Sequence, residues 1–104
     1  MYRGTTPIVV FKINSPTLDL SDMKQIWVTF KDAINEITYS IGDLVINPEE
    51  KTIKVEMSQE DTLKFYSGTA KTQIRFLDNS GVSYASNVKQ VKFDDILKEG
   101  VING

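Results

Sequence analysis

The chain has 104 residues, a net charge of −2 at pH 7, and neither histidine nor cysteine. This length suits one domain, residues 1–104, and the missing residue types exclude disulfides, thiolate zinc sites and catalysis by Ser-His-Asp or Cys-His arrangements. The small charge, with basic residues scattered singly, also excludes the strong positive field on which non-specific nucleic-acid binding depends.

Alternation of apolar and polar residues with a period of two dominates the chain and predicts β-strands. The predicted strands are residues 8–13, 25–31, 36–41, 44–46, 52–57, 69–77 and 82–93. The first is apolar on both faces at its start, which predicts that it is covered from both sides. Short polar turns join the second strand to the third and the fourth to the fifth, so each pair is a predicted hairpin. A connection over residues 18–24 holds one helical turn, begun by Asp19 or Ser21.

A short helix is predicted near residues 59–65, where the period of two is lost. Ser58 is its predicted N-cap, and acidic residues follow in the first turn, where the helix dipole favours them. Leu63 and Tyr66 are three residues apart, so we expect them to pack one helix face on the sheets. Gly68 suits the left-handed residue that ends a helix.

The last two predicted strands form a hairpin around residues 78–81, the strongest turn signal in the chain. Within residues 82–93 the alternation slips, because the apolar residues before and after Lys89 and Gln90 fall on opposite faces. A bulge there would produce this slip, as would a strand that passes from one sheet to the other. About seven strands and one short helix near 59–65 predict an all-β fold, an immunoglobulin-like antiparallel β-sandwich. A small closed barrel is the alternative.

Four aromatic side chains could form a platform for sugars: Trp27, Tyr39, Tyr66 and Tyr84. They are the basis of an alternative function, a carbohydrate-binding module for attachment to a host surface. Aromatic residues on strands more often belong to the core. Trp27, however, alternates with the inward-facing Ile26 and Val28, which places it on the outer face. An aromatic side chain there predicts an anchor for a protein interface.

The segment from residue 94 to residue 102 carries four further predicted interface residues: Ile96, Leu97, Val101 and Ile102. So few residues cannot bury these side chains by themselves. Either the segment docks on its own sandwich, or it contacts another chain.

No reactive centre is recognisable in the sequence. The acidic residues lack the spacing of a calcium loop, and nothing selects two of them as the facing carboxylates of a hydrolase. We therefore assign no catalytic, metal-binding or cofactor-binding residue, and we expect neither enzyme activity nor a cofactor.

Six stretches carry a resemblance to known proteins: residues 3–7, 27–30, 58–65, 73–75, 85–87 and 95–102. They read RGTTP, WVTF, SQEDTLKF, QIR, ASN and DILKEGVI. Through them the chain resembles a group of small uncharacterised proteins encoded among tail genes of phages and prophages in Gram-positive (Firmicutes) gut bacteria. More distantly, it is similar to the sandwich domain that opens the upper baseplate protein of lactococcal phages. The resemblance implies an immunoglobulin-like sandwich used for assembly. The chain ends where that sandwich ends and lacks the stalk and receptor-binding parts of a full baseplate protein, which favours assembly over direct host binding.

We therefore expect a non-enzymatic structural or assembly protein of a tailed phage or prophage, associated with the tail or baseplate. Its expected partners are other phage structural proteins, and self-association stays open. No stretch approaches the roughly 20 apolar residues that span a bilayer, and the first residues lack the apolar region of a signal peptide. The expected location is therefore the host cytoplasm during synthesis and the virion afterwards, with no membrane or nucleic-acid partner.

Overall fold

The computed structural model describes residues 1–66 and 68–104 and consists of two antiparallel sheets packed face to face. Its elements in chain order are β1 (Ile8–Lys12), β2 (Met23–Lys31), β3 (Glu36–Tyr39), β4 (Leu44–Asn47), β5 (Thr52–Glu56), α1 (Gln59–Leu63), β6 (Gly68–Asp78), β7 (Ser83–Ala85) and β8 (Lys89–Phe93). Two 3₁₀ turns, Leu20–Asp22 and Ile41–Asp43, precede β2 and β4. The first begins after an Asp19 cap, which is one of the two predicted starts. The second replaces the end of the strand predicted over 36–41.

The two sheets differ in width. The small sheet has the order β1-β5-β4. The large sheet has the order β3-β2-β6, and β7 and β8 then pair one after the other with the same edge of β6. The large sheet is therefore four strands wide and the small sheet three. This architecture confirms the predicted all-β sandwich, with eight strands in the described residues instead of about seven, and it excludes the closed barrel.

The period of two decides which side chains form the core between the sheets. The core comprises Leu20, Ile26, Val28, Phe30, Ile37, Tyr39, Ile53, Val55, Met57, Phe65, Ala70, Ile74, Phe76 and Phe93. Phe11 on β1 packs against Phe30 on β2, with ring centroids 6.3 Å apart. The small sheet covers the two edges of the large sheet unequally, because inward-facing Tyr39 on β3 is 9% exposed and inward-facing Tyr84 on β7 is 40% exposed. The uncovered part of the large sheet is therefore at β7.

The prediction that the first strand is covered from both sides is wrong. β1 is an edge strand of the small sheet, and its outward side chains Ile8 and Val10 are 63% and 52% exposed. A strand with apolar side chains on both faces is buried on both faces only if other elements of the protein cover each of them. The large sheet covers one face of the small sheet, and the other face of β1 is open to solvent.

The helix begins as predicted and ends earlier. The Ser58 side chain accepts a hydrogen bond from the Asp61 backbone N–H, which confirms the N-cap, but α1 ends at Leu63. Thr62 is the buried residue of the helix. Phe65, which follows the helix, is also buried, and its ring stacks on that of Phe93 with the ring centroids 4.9 Å apart.

The predicted inward face and helix stop are both wrong. Tyr66 is exposed and Leu63 is only half-buried. Gly68, with φ of 142°, is the first residue of β6. The helix is too short for its three-residue spacing to select a face, so the contact between Phe65 and Phe93 decides the orientation.

The phase slip in the last predicted strand is a one-residue insertion that separates β7 from β8. Continuing the β7 register would place Val88 opposite Thr72, whereas Thr72 pairs with Lys89. The extra residue lies within residues 86–88, slightly before the predicted position, and both strands stay in one sheet. Ser86 closes the gap, since its N–H donates to the Ile74 carbonyl and its Oγ accepts from the Ile74 N–H.

Asp78 organises the predicted turn at 78–81. Its Oδ1 accepts backbone hydrogen bonds from Ser80 and Val82, and its Oδ2 accepts one from the Tyr84 hydroxyl. These bonds, with that from Val82 the strongest, hold the pKa of Asp78 below its ordinary value. The hydrogen bond to Asp78 likewise raises the pKa of Tyr84. The charged carboxylate therefore stabilises the turn.

We expect Asp78→Asn to lower the free energy of unfolding at pH 7. A carboxylate with a lowered pKa stabilises the fold above its unfolded pKa of about 4, and this stabilisation is lost as the pH falls through the folded pKa. Urea unfolding at a series of pH values should therefore show a difference from the wild type that disappears in acid. Glu49→Gln, in the exposed loop after β4, is the control for removing one negative charge. A difference independent of pH would contradict this account.

Candidate functional site

Arg3 joins the beginning of the chain to the helix and to the C-terminal segment. Its side chain is buried, with the residue 4% exposed. Nε donates to the Phe65 carbonyl at 2.6 Å and Nη2 to the Leu63 carbonyl at 3.0 Å. Nη1 donates to Glu99 Oε1 at 2.8 Å and to Asp95 Oδ1 at 3.2 Å. One guanidinium thus caps the end of the helix and holds the segment that follows β8.

The charge on Arg3 is stabilised in its buried position. The hydrogen bond to Glu99 is the main cause that raises the pKa of Arg3, and burial opposes it. The Tyr66 ring lies 5.1 Å from the guanidinium carbon, within reach of a cation–π interaction. Arg3 is therefore permanently charged, and it is oriented by partners at the end of the helix and in the C-terminal segment.

The C-terminal segment, residues 94–104, is held to the sandwich mainly by polar contacts. The Gln59 side chain donates to the Ile102 carbonyl at 2.9 Å and accepts from the Ile102 N–H at 2.8 Å. Ile96 is half-buried, whereas Leu97, Val101 and Ile102 are exposed. The segment therefore docks on its own sandwich and still presents three of the four predicted apolar interface residues to solvent.

Trp27 lies on the outer face of the large sheet, as its register requires, and it is half-buried there. Arg75 on β6 is its directly paired neighbour. Trp27 and the C-terminal segment belong to different parts of the molecule, because Trp27 lies at the middle of β2 and the segment follows the end of β8. The structure does not bring the five predicted interface residues into one site.

A further exposed apolar surface lies on the outer face of the small sheet. It consists of Ile8 and Val10 on β1 and Val45 on β4, with Lys54 and Glu56 on the central strand between them. Charged side chains at the centre interrupt this surface. It is therefore an apolar rim on both sides of a charged row.

A cleft of about 440 Å³ opens between the two sheets on the side of β1 and β7. Apolar side chains form its interior: Phe11, Ile13, Leu18, Ile74, Phe76 and Tyr84. Polar residues at its border include Asn14, Gln73, Asn87 and Lys89. The cleft exists because the small sheet does not extend over β7.

The four aromatic residues proposed as a sugar platform do not share a surface. Trp27 faces outward, Tyr84 faces the cleft, Tyr39 belongs to the core, and Tyr66 lies beyond the helix. The Tyr39 hydroxyl donates to Asp61 Oδ2 at 2.6 Å. Burial, followed by this hydrogen bond, raises the pKa of Tyr39.

Asp61 lies in a shallow groove together with two other acidic residues, Asp43 and Glu56. Both carboxylate oxygens of Asp61 have partners: Oδ2 accepts the Tyr39 hydroxyl, and Oδ1 lies 3.6 Å from Lys64 Nζ. Among residues 1–66 and 68–104, no three acidic side chains converge in a way that could hold a metal ion.

Two features were not identified from the sequence. Arg3 is separated by more than 90 positions in the chain from its acidic partners, Asp95 and Glu99. No local spacing relates such distant residues. The cleft depends on the different widths of the sheets, which no strand pattern specifies.

Comparison with known proteins gives no match to any family model, curated protein or solved structure. Over the part of the chain that the structure describes, no helix has both the length and the apolar character needed to cross a membrane.

We expect Gly4→Ala to lower the free energy of unfolding by about 1–2 kcal/mol. Gly4 has φ of 70°, and an added Cβ would lie 3.0 Å from Ile96 Cδ1 and 3.2 Å from Leu63 Cδ2. The C-terminal segment should also become more mobile, as measured by amide hydrogen exchange. Gly42→Ala is the matched control, since a Cβ there meets nothing within 4 Å. Equal effects of the two substitutions would contradict the prediction.

We expect Arg3→Lys to destabilise the protein by about 2 kcal/mol, because an ammonium group cannot satisfy the carbonyls and carboxylates that the planar guanidinium joins. Denaturant unfolding measures the loss. Arg75→Lys, on an exposed strand position, is the control and should change stability little. A stable Arg3→Lys variant with an unchanged C-terminal segment would show that the Arg3 contacts are dispensable.

Proposed function

We propose that this protein is a non-enzymatic structural or assembly component of a tailed phage or prophage, associated with the tail or baseplate, that acts through protein–protein contacts. The resemblance of six stretches of the sequence to proteins encoded among phage tail genes supports this function. So does a chain without histidine or cysteine, in which chemistry would have to rely on carboxylates, lysines, tyrosines and hydroxyls.

The observation that carries the proposal is the way the C-terminal segment is held. Arg3 and Gln59 fix it by polar contacts, while Leu97, Val101 and Ile102 face solvent. A segment that served only to close its own fold would bury its apolar side chains, because their burial is the main source of stability. An ordered segment with exposed apolar side chains is suited to bury them against another protein.

Trp27 offers a second contact surface on the large sheet. Its half-buried ring lies beside a cationic neighbour, and tryptophan and arginine are the residue types most enriched at the centres of protein interfaces. The scattered positions of the four aromatic residues favour this use of Trp27 over a shared surface for sugars.

We expect Leu97→Asp combined with Val101→Asp to abolish incorporation of the protein into tail or baseplate assemblies. The paired acids would put charge where the proposal places a buried apolar contact. The measurement is reconstitution with the proteins encoded by neighbouring tail genes, followed by sedimentation of the assembly. Ile34→Asp is the control, because Ile34 is also an exposed apolar residue, at 82% exposure, and lies in the β2–β3 turn outside the C-terminal segment.

Failure of the unmodified protein to enter any assembly or virion would remove the proposed function. Equal incorporation of the Leu97→Asp/Val101→Asp variant and the Ile34→Asp variant would show that the C-terminal segment does not form the assembly contact. Circular dichroism of each variant checks that the sandwich is still formed.

A further inference from the structure

The free edge of β1 carries unpaired backbone groups at three positions. In an antiparallel pair, alternate residues direct their N–H and C=O groups to the partner strand. The Met57 N–H donates to the Pro7 carbonyl and the Ile13 N–H to the Lys51 carbonyl, so the odd-numbered residues of β1 bond to β5. Ile8, Val10 and Lys12 therefore direct their backbone groups to the other side, where no described strand lies.

The space beside this edge is one strand wide. β7 projects beyond β1, because the large sheet has one strand more than the small sheet. A single strand placed next to β1 would lie above β7 and complete a sandwich four strands wide in both layers. It would cover Tyr84, the inward-facing aromatic residue that the small sheet leaves exposed.

The cleft supplies contacts for the side chains of such a strand. Its interior is apolar, and Thr72, a residue of its lining, is 3% exposed with an Oγ1 that has no hydrogen-bond partner among the described residues. An unpaired buried hydroxyl is costly, and a ligand with a polar group can satisfy it. The site therefore favours a segment with mostly apolar inward side chains and a polar one near Thr72.

The charge of the cleft selects an acidic segment. Of the two charged residues in the described lining of the cleft, Lys12 and Lys89, only Lys89 faces the cleft, because the Lys12 side chain lies on the outer face of the small sheet and its Nζ donates to the Glu50 carbonyl. Lys89 is directly paired with Thr72, so it lies on the inner side of the large sheet, and it forms no ion pair with a described residue. A carboxylate on the incoming strand near Thr72 would meet this lysine.

We propose that an extended, acidic segment of a partner protein, with alternating apolar side chains, lies in this cleft and pairs with β1 as a fourth strand of the small sheet. This inference rests on the proposed function and names the partner's chemistry. Backbone pairing with β1 provides affinity, and the cleft and Lys89 provide specificity.

A second copy of the chain does not fit this edge through its own β1. Two β1 strands placed side by side would bring the projecting β7 of each copy into the large sheet of the other. The projecting β7 therefore leaves room beside β1 for one extended strand but not for the β1 edge of a second copy. Covering a sheet edge in this way is a common protection against self-association.

The experiment uses the full chain and a blocked heptapeptide, acetyl-TVTVTET-amide, which alternates apolar side chains with threonine and carries one glutamate. We expect binding at concentrations up to about 1 mM, the range of weak single-segment contacts. Amide hydrogen exchange followed by NMR should show new protection at Ile8, Val10 and Lys12. Lys89→Glu should weaken binding about tenfold and favour the same peptide with lysine in place of glutamate.

Lys54→Glu is the matched control, because Lys54 lies on the outer face of the small sheet and should not affect binding. A peptide N-methylated at every residue should lose binding, because it has no backbone N–H group to donate to β1. Absence of binding at about 1 mM, or binding without protection of the three amides, would overturn the inference.

Its failure is separable from that of the proposed function. If the Lys89→Glu variant still enters assemblies and the peptide protects none of the three amides, the inference about the cleft is wrong and the assembly role stands. Protection by the peptide without incorporation into any tail assembly supports the cleft and removes that role.

Discussion

Two sheets of unequal width are the constraint on which the surface of this protein depends. Three strands cannot cover a sheet four strands wide, so one edge of the large sheet stays partly open. The open edge explains why Tyr84 faces inward and is still exposed, whereas Tyr39 on the opposite edge is buried. It also places the free backbone groups of β1 beside an apolar cleft. The free backbone groups of β1 and the uncovered apolar surface at β7 therefore have the same cause, the different widths of the two sheets.

Arg3 has a comparable role at the other end of the sandwich. The helix α1 is a single turn and a half, too short to be stable by itself, and its end needs hydrogen-bond donors. The guanidinium supplies them through Nε and Nη2, and its Nη1 donates to Asp95 and Glu99. The first residues, the helix and the C-terminal segment are therefore coupled through one side chain, and a change in one of them affects the presentation of Leu97 and Val101.

The proposed contact surfaces follow from these two features and lie apart from each other. The cleft is lined by residues at the end of β1, whereas the C-terminal segment lies beside α1, near the start of β1. A protein with separate surfaces can contact two different neighbours at once. This property fits the proposed assembly role.

The sequence by itself determined the strands and the inward side chains of β2, β3, β5 and β6, because a period of two fixes the face of every residue once a strand exists. It also determined the Ser58 cap and the turn at Asp78, since both depend on hydrogen bonds between near neighbours. Only the tertiary structure decided that β1 is an exposed edge, that Phe65 rather than Tyr66 packs inward, and that Arg3 meets Glu99. Those outcomes depend on which sheet lies over which strand and on contacts between residues far apart in the chain, and local periodicity contains no information about either.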